Sequence, residues 1–164
     1  MRRISLLLAL SAAAAVAGCS GYSTRSLIDP QYRTVYVKTF DNQSFYRGFE
    51  QSLTRQVVNK INSRTHLRIA PLGKADTVLT GLISNFQQQV LTEDLQDNVR
   101  ETQITVTVDM TWTDAKTGKA IKAVRGLALS DTIKFDIGQT LDTTTPDLFD
   151  KMAERLVEEL EASW

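Results

Sequence analysis

Few residues in this chain are placed to do chemistry. Cys19 is the one cysteine, and it follows Val16-Ala17-Gly18 at the end of an apolar run that begins at Ile4 behind Arg2 and Arg3. A basic start, a short apolar stretch and small residues before a cut site describe a secretory leader. The thiol left at such a cut is a nucleophile that can take up a lipid, and a single cysteine forms no disulfide within the chain. His66 is the one histidine, which supplies neither a ligand set for a metal nor a proton relay. The sequence carries no serine-hydrolase elbow, no zinc-protease helix motif and no phosphate-cradling glycine loop, so neither an enzyme nor a bound cofactor is expected. Glu93, Asp94 and Asp97 stand close together. They lack the spacing and the turn glycine of a calcium loop, and a solvated hairpin accounts for them. Four cations remain. Arg100, Lys119, Lys122 and Arg125 are expected to gather around a central hairpin, where they would suit the phosphates of an anionic ligand. They would equally suit the charges that keep a sheet edge from pairing with another chain.

The tetrad Val16-Ala17-Gly18-Cys19 resembles the lipobox of bacterial lipoproteins. That resemblance implies that residues 1–18 are a removed signal peptide and that Cys19 carries acyl chains holding the protein on a membrane. Ser20, standing where Asp would retain such a protein at the inner membrane, implies the outer one. An ordinary secreted chain with a chance cysteine is the alternative. The apolar run falls short of the roughly 20 residues a spanning helix needs. Residues 19–31 mix Gly, Ser and Pro with little periodicity and read as a tether.

These groups need a scaffold, and the clearest element in it is the stretch 103–113. Ile104, Val106, Val108, Met110 and Trp112 alternate with Gln103, Thr105, Thr107, Asp109, Thr111 and Thr113. Side chains of a strand alternate between faces, so one face is apolar and the other polar and rich in threonine. Strands are also expected at 32–40, at 76–91 and at 120–133, with a short strand or its approach at 66–70. Residues 114–119 read as a tight hairpin with Gly118 in a left-handed conformation. Arg125 breaks the alternation of the last strand, which a bulge near Gly126 would resolve. In the strand at 76–91, apolar residues of both parities around 78–83 call for cover on both faces or for a bulge. Loops are expected at 92–98 and 135–145.

Two amphipathic helices can cover the apolar face. The first is expected over 45–64, with Phe45, Phe49, Leu53, Val57 and Ile61 on its stripe. The second should start at Thr145-Pro146-Asp147, a good cap followed by a good first residue, and run to Trp164. The order β-α-β-β-β-α gives one α+β domain over residues 32–164. It is a two-layer sandwich with a four-stranded, mainly antiparallel sheet and both helices on one face. The polar face is left open. Basic and acidic residues balance at 19 each, which argues against bulk nucleic-acid binding.

The chain resembles the LPS-assembly lipoprotein family, LptE. The resemblance is carried by the lipobox with Gly21-Tyr22 behind it, by VYVKTFDNQSFYRGFEQSLTRQVVNKINSRTHLRI, by ADTVLTGLI, and by the alternating strand that closes with DAKTGK. It implies an outer-membrane lipoprotein lodged in the lumen of a large β-barrel, the LptD translocon. There it would help assemble the barrel and plug it while lipopolysaccharide enters the outer leaflet, with basic residues near strand ends touching lipopolysaccharide. A second resemblance, to the domains of TolB and curli-secretion lipoproteins, implies a periplasm-facing scaffold or activator with no lipopolysaccharide role and a compact apolar groove.

Overall fold

A computed structural model describes residues 28–93, 99–134 and 141–162. In chain order the elements are β1 (Thr34–Val37), β2 (Asp41–Asn42), α1 (Phe49–Arg64), β3 (Arg68–Ile69), a short 3₁₀ turn (Leu72–Lys74), β4 (Thr77–Glu93), β5 (Val99–Asp114), β6 (Ala120–Lys134) and α2 (Leu141–Glu161). The expected α+β sandwich is present, but its sheet has six strands where four were expected. The two additional ones, β2 and β3, are two residues long; β3 falls in the stretch 66–70 read as a short strand or its approach, whereas β2 was not expected. The strand order is β3-β1-β4-β5-β6, with β2 also beside β4. β1, β2 and β3 pair in parallel, whereas β4, β5 and β6 form a long antiparallel meander. At 17, 16 and 15 residues, these three strands make a ribbon roughly 50 Å long at about 3.3 Å per residue.

The alternation of β5 holds without exception. Ile104, Val106, Val108, Met110 and Trp112 are buried, and both helices lie over them. α1 contributes Phe49, Leu53, Val57 and Ile61, while α2 contributes Leu148, Phe149, Met152, Leu156, Val157 and Leu160. The rings of Phe49 and Phe149 meet edge-on with centroids 5.1 Å apart. Lys60 pairs with Asp150 and Glu154, and Arg64 with Glu154 and Glu158. One turn forward on α1 matches one turn forward on α2, so the helices run in the same direction. Ile28, inside the stretch expected as tether, is buried in this core.

Both helix starts differ from the sequence reading. α1 begins at Phe49 rather than at residue 45. Asn42 explains the delay: its amide donates to Tyr46 O at 2.7 Å and to Glu50 Oε2 at 2.9 Å, and its Oδ1 accepts the Ser44 N–H at 2.8 Å. These bonds hold 43–47 as a loop, Gly48 turns it into the helix at φ 91°, and Phe45 is left fully exposed. α2 begins at Leu141, so Thr145 lies inside it, buried, and Pro146 is a helical residue. Proline gives up the one backbone bond its N–H would have made to residue 142. Burial of the apolar stripe that follows outweighs that loss. Of the loops expected at 92–98 and 135–145, residues 94–98 and 135–140 lie outside the described residues, as does Trp164.

Two bulges account for the broken alternations. Ser84 is an extra residue of β4 between the pairs Ile83–Val108 and Asn85–Thr107. It switches parity, so Phe86 joins Leu79 and Ile83 on the helix-covered face, leaving Val78 and Leu82 on the other. In β6, Arg125 and Gly126 together face Asp109 between the pairs Val108–Leu127 and Met110–Val124. Gly126 has φ 66°, and its N–H donates to Asp109 Oδ1 at 2.6 Å. Gly126→Val is expected to lower stability by about 1–3 kcal/mol, since a β-branched residue is strained at positive φ. Asp109→Ala, which removes only the acceptor, should cost about 1 kcal/mol. Urea unfolding of both variants checks the ranking. The hairpin 114–119 is as read: Gly118 has φ 68°, and Asp114 Oδ1 accepts the N–H groups of Lys116 and Thr117 at 2.9 and 2.8 Å.

Candidate functional site

The candidate site is the face of the sheet turned away from the helices. Register assigns its members. Gln103, Thr105, Thr107, Thr111 and Thr113 of β5 stand beside Gln89, Gln87, Asn85, Thr80 and Val78 of β4. On the other side Thr132, Ser130, Ala128 and Ala123 of β6 stand beside Gln103, Thr105, Thr107 and Thr111. Cross-strand bonds tie the threonines down: Thr105 Oγ1 and Ser130 Oγ are 2.8 Å apart, Thr80 Oγ1 donates to Thr111 O at 3.3 Å, and Ser84 Oγ donates to Thr107 O at 3.2 Å. Gln87, Gln88, Gln89, Gln103 and Thr105 line an open groove of about 380 Å³.

Among the described residues this face carries little charge. In mid-sheet the Asp109 carboxylate accepts the Gly126 N–H, and the exposed Arg125 stands opposite it. At one end Lys134 and Glu101 neutralise each other at 3.1 Å. Such a surface meets water, amides and hydroxyls on equal terms and holds no array of cations for a phosphate. The sequence displayed only the β5 third of it. The β4 and β6 thirds were hidden because the two bulges change which residues share a face, and the visible signals were the mixed parity around 78–83 and the parity break at Arg125-Gly126.

The four cations do not gather. Arg100 lies at the start of β5 and Lys119 in the turn beyond its end, so their backbones are separated by more than 40 Å at 3.3 Å per residue. Lys122 stands beside Trp112 on the helix-covered side and pairs with Glu159 of α2 at 3.1 Å. Lys119 is exposed in the turn, and Arg125 is exposed in the bulge of β6, the edge strand. Cys19, Asp94 and Asp97 fall outside the described residues. Among the described residues no three or more His, Cys, Asp or Glu side chains come together in a way that would hold a metal.

The two ends of the ribbon differ. At the start of β4, Asp76 Oδ2 accepts the Arg33 and Thr34 N–H groups, each at 3.1 Å, and the Thr34 hydroxyl at 2.8 Å. The Thr34 hydroxyl, the two amides and the nearby Lys116 charge hold the Asp76 carboxyl below its ordinary value. The Tyr32 ring meets Trp112 edge-on at the same end, and the buried Trp112 indole N–H has no hydrogen-bond partner among the described residues. At the other end Tyr46 stacks on Phe49, tilts against Phe86 and donates its hydroxyl to Gln88 Oε1 at 2.8 Å. Phe45 projects beside it, and Val90 and Leu91 are also exposed.

The family profile described as LptE, lipopolysaccharide-assembly, matches residues 32–163. The chain belongs to the LptE family. No protein of curated function matches it in sequence. Among solved structures, the uncharacterised lipoprotein B of Nitrosomonas europaea is similar in fold. Its TM-score is 0.57 at 12% identity, over 86% of this chain and 89% of that one. A minor lipoprotein of Acinetobacter baumannii gives a TM-score of 0.51 at 13% identity, over 80% and 92%. PelC of Paraburkholderia phytofirmans, a dodecamer, gives 0.53 at 15% identity, over 82% and 92%. At these identities the likeness is one of fold. Membership of the LptE family ties the chain to lipopolysaccharide assembly.

Proposed function

We propose that this LptE-family chain is an outer-membrane lipoprotein, acylated at Cys19, that assembles with an LptD-type β-barrel and fills its lumen during insertion of lipopolysaccharide into the outer leaflet. The observation that carries the reading is the open face: polar, low in charge, drawn from three long strands and left uncovered by the described residues. The lumen of an outer-membrane barrel is polar, and the apolar band on its outer, lipid-facing side is about 25 Å tall. A ribbon roughly 50 Å long reaches through such a band with length to spare. The role is assembly and occlusion, without catalysis. Contact with lipopolysaccharide phosphates falls to the exposed Arg125 of the edge strand, opposite Asp109, and not to Lys122, whose charge is spent on Glu159. The periplasmic-scaffold alternative called for a compact apolar groove. Two grooves among the described residues are mostly polar, one lined by Gln87, Gln88, Gln89, Gln103 and Thr105, the other by Phe40, Asp41, Asn42, Ser44, Arg47 and Glu50.

The test is affinity purification of the tagged full chain from detergent-solubilised envelopes, with mass spectrometry of what accompanies it. One large barrel protein in stoichiometric amount is expected. Thr107→Arg, a half-exposed change in mid-face, should leave the melting temperature within about 2 °C, as surface substitutions do. It should lower barrel recovery by about tenfold or more, since an extra charge would be pressed against the wall. Recovery of cell-wall enzymes, or of no barrel, would overturn the reading.

A further inference from the structure

We infer that the end of the ribbon formed by the Leu72–Lys74 turn and the β5–β6 hairpin is a membrane foot. It rests on the anionic phospholipid headgroups of the leaflet that holds the acyl chains. The inference depends on the lipoprotein reading above and adds an orientation and a second membrane contact to it.

Register brings the parts together. Arg68 and Ile69 pair with Thr34 and Val35, Val35 pairs with Thr77, and Thr77 pairs with Asp114 at the base of the hairpin. The Ala115 N–H donates to Asp76 O at 2.9 Å, which fastens the hairpin loop to the chain leaving the 3₁₀ turn. At this end Leu72 is 59% exposed and Ile69 39%, among the few large apolar side chains on the surface. Arg68, Lys74, Lys116 and Lys119 are exposed around them. Among the described residues none of these four cations lies within ion-pair distance of a carboxylate. The carboxylates of the same end, Asp29, Asp76 and Asp114, accept backbone N–H groups, and the Lys116 charge lies near Asp76 and Asp114. Apolar side chains that enter a headgroup layer, ringed by cations that stay at its surface, are the chemistry of interfacial binding.

The chain itself selects the occupant. Ile28 is buried in the core, and the Tyr32 ring that follows sits against Trp112, 5.6 Å between centroids, at this end of the ribbon. Cys19 precedes Ile28 by nine residues, a span of at most about 30 Å. The acyl chains and this end of the domain therefore share one neighbourhood, whereas Phe45 belongs to the far end. An anchor of that length delivers the Leu72 and Lys116–Lys119 surface to the leaflet that carries it.

The test uses the full, lipidated chain in vesicles of phosphatidylcholine alone or mixed with phosphatidylglycerol. Acylation of Cys19 leaves Leu72→Cys as the one free thiol, which takes an environment-sensitive fluorophore. Phe45→Cys is the control at the opposite end. With phosphatidylglycerol present, headgroup-nitroxide lipid should quench the label at residue 72 and leave the label at residue 45 bright. Lys116→Glu with Lys119→Glu should reduce the docked population about 25-fold, roughly fivefold for each cation. These are exposed turn residues, and an unchanged melting temperature verifies that the fold is intact. Quenching at residue 72 that is absent, or indifferent to phosphatidylglycerol and to the charge reversals, overturns the foot. The mass of the N-terminal peptide keeps the two readings apart. Acyl groups present without quenching sink the foot alone, and acyl groups absent sink the lipid anchor and the foot together.

Discussion

Gly81→Ala, a change of one methyl group, is expected to lower stability by about 2–4 kcal/mol, mainly through overpacking. Gly81 sits on the helix-covered face of β4, level with Met110, and the buried ring of Phe40 lies directly against it. A Cβ built there would stand 2.3 Å from Phe40 Cε2, inside the ring's own volume. Strand propensity favours alanine over glycine by roughly 0.5–1 kcal/mol, so the clash has to win for the prediction to hold. It wins because the ring has little freedom to withdraw. The Phe40 N–H donates to Thr54 Oγ1 at 3.0 Å, and that hydroxyl donates to Glu50 O at 2.6 Å within α1, so the segment is fixed to the helix above. Chemical unfolding of Gly81→Ala, Phe40→Leu and the double variant tests the mechanism. The double variant should be more stable than additivity predicts by about 1–2 kcal/mol. Strict additivity would show that the two residues do not share the space.

Asp76→Ala should cost a comparable amount, about 2–4 kcal/mol, because one carboxylate oxygen satisfies two backbone amides and a hydroxyl that join β1 to β4. Thr34 Oγ1 also accepts the Asp76 N–H at 2.8 Å, and Thr77 Oγ1 donates to Thr34 O at 3.0 Å, so the loss opens one corner of the sheet. The effect depends on pH, and its sign is fixed by the direction of the shift. The folded protein holds the Asp76 carboxyl below its ordinary value, through Thr34 first, then the Arg33 and Thr34 amides and Lys116. Its contribution is therefore fully present above the unfolded value of about 3.9 and is lost as the pH falls below that through the folded value. Glu50, held down by Asn42, and Asp114, held down by the Thr117 and Lys116 amides, act in the same direction. Melting temperatures measured from pH 6 downward should fall below about pH 4. In Asp76→Asn the curve should start lower and fall less steeply through that window. An identical acid slope in the variant would mean that Asp76 contributes nothing through its charge.

Legibility followed burial. The apolar members of β5 and both helix stripes were readable because each obeys one period without interruption and each ends up buried. The same rule failed wherever one residue was inserted or one side chain bonded locally. Ser84 moves Phe86 to the face of Leu79; the mixed parity around 78–83 left a bulge open without placing it. Asn42 captures Tyr46 O and Glu50, and so turns Phe45, apparently on the helix stripe, into a fully exposed side chain. Thr145-Pro146 carries every mark of a helix start, yet tertiary burial extended the helix past it. The open face was read correctly in kind from the threonines of β5. Its low charge emerged only with the glutamines of β4 and the serine and threonine of β6 in register. The cations were read from proximity in sequence, and the fold scattered them because β5 alone separates Arg100 from Lys119 by most of the molecule's length.

The extra residues of β4 and β6 fall at the same level, on either side of Thr107–Met110 in β5. A bulge bends its strand and increases the local twist, and here both neighbours of the middle strand do so together. Three straight strands of this length would make a plank, touching a cylindrical wall along a single line. Strands that all turn at one height make an arc, which can follow such a wall through its full depth. The residues that carry the turn, Ser84 and Gly126, set the curvature of the open face.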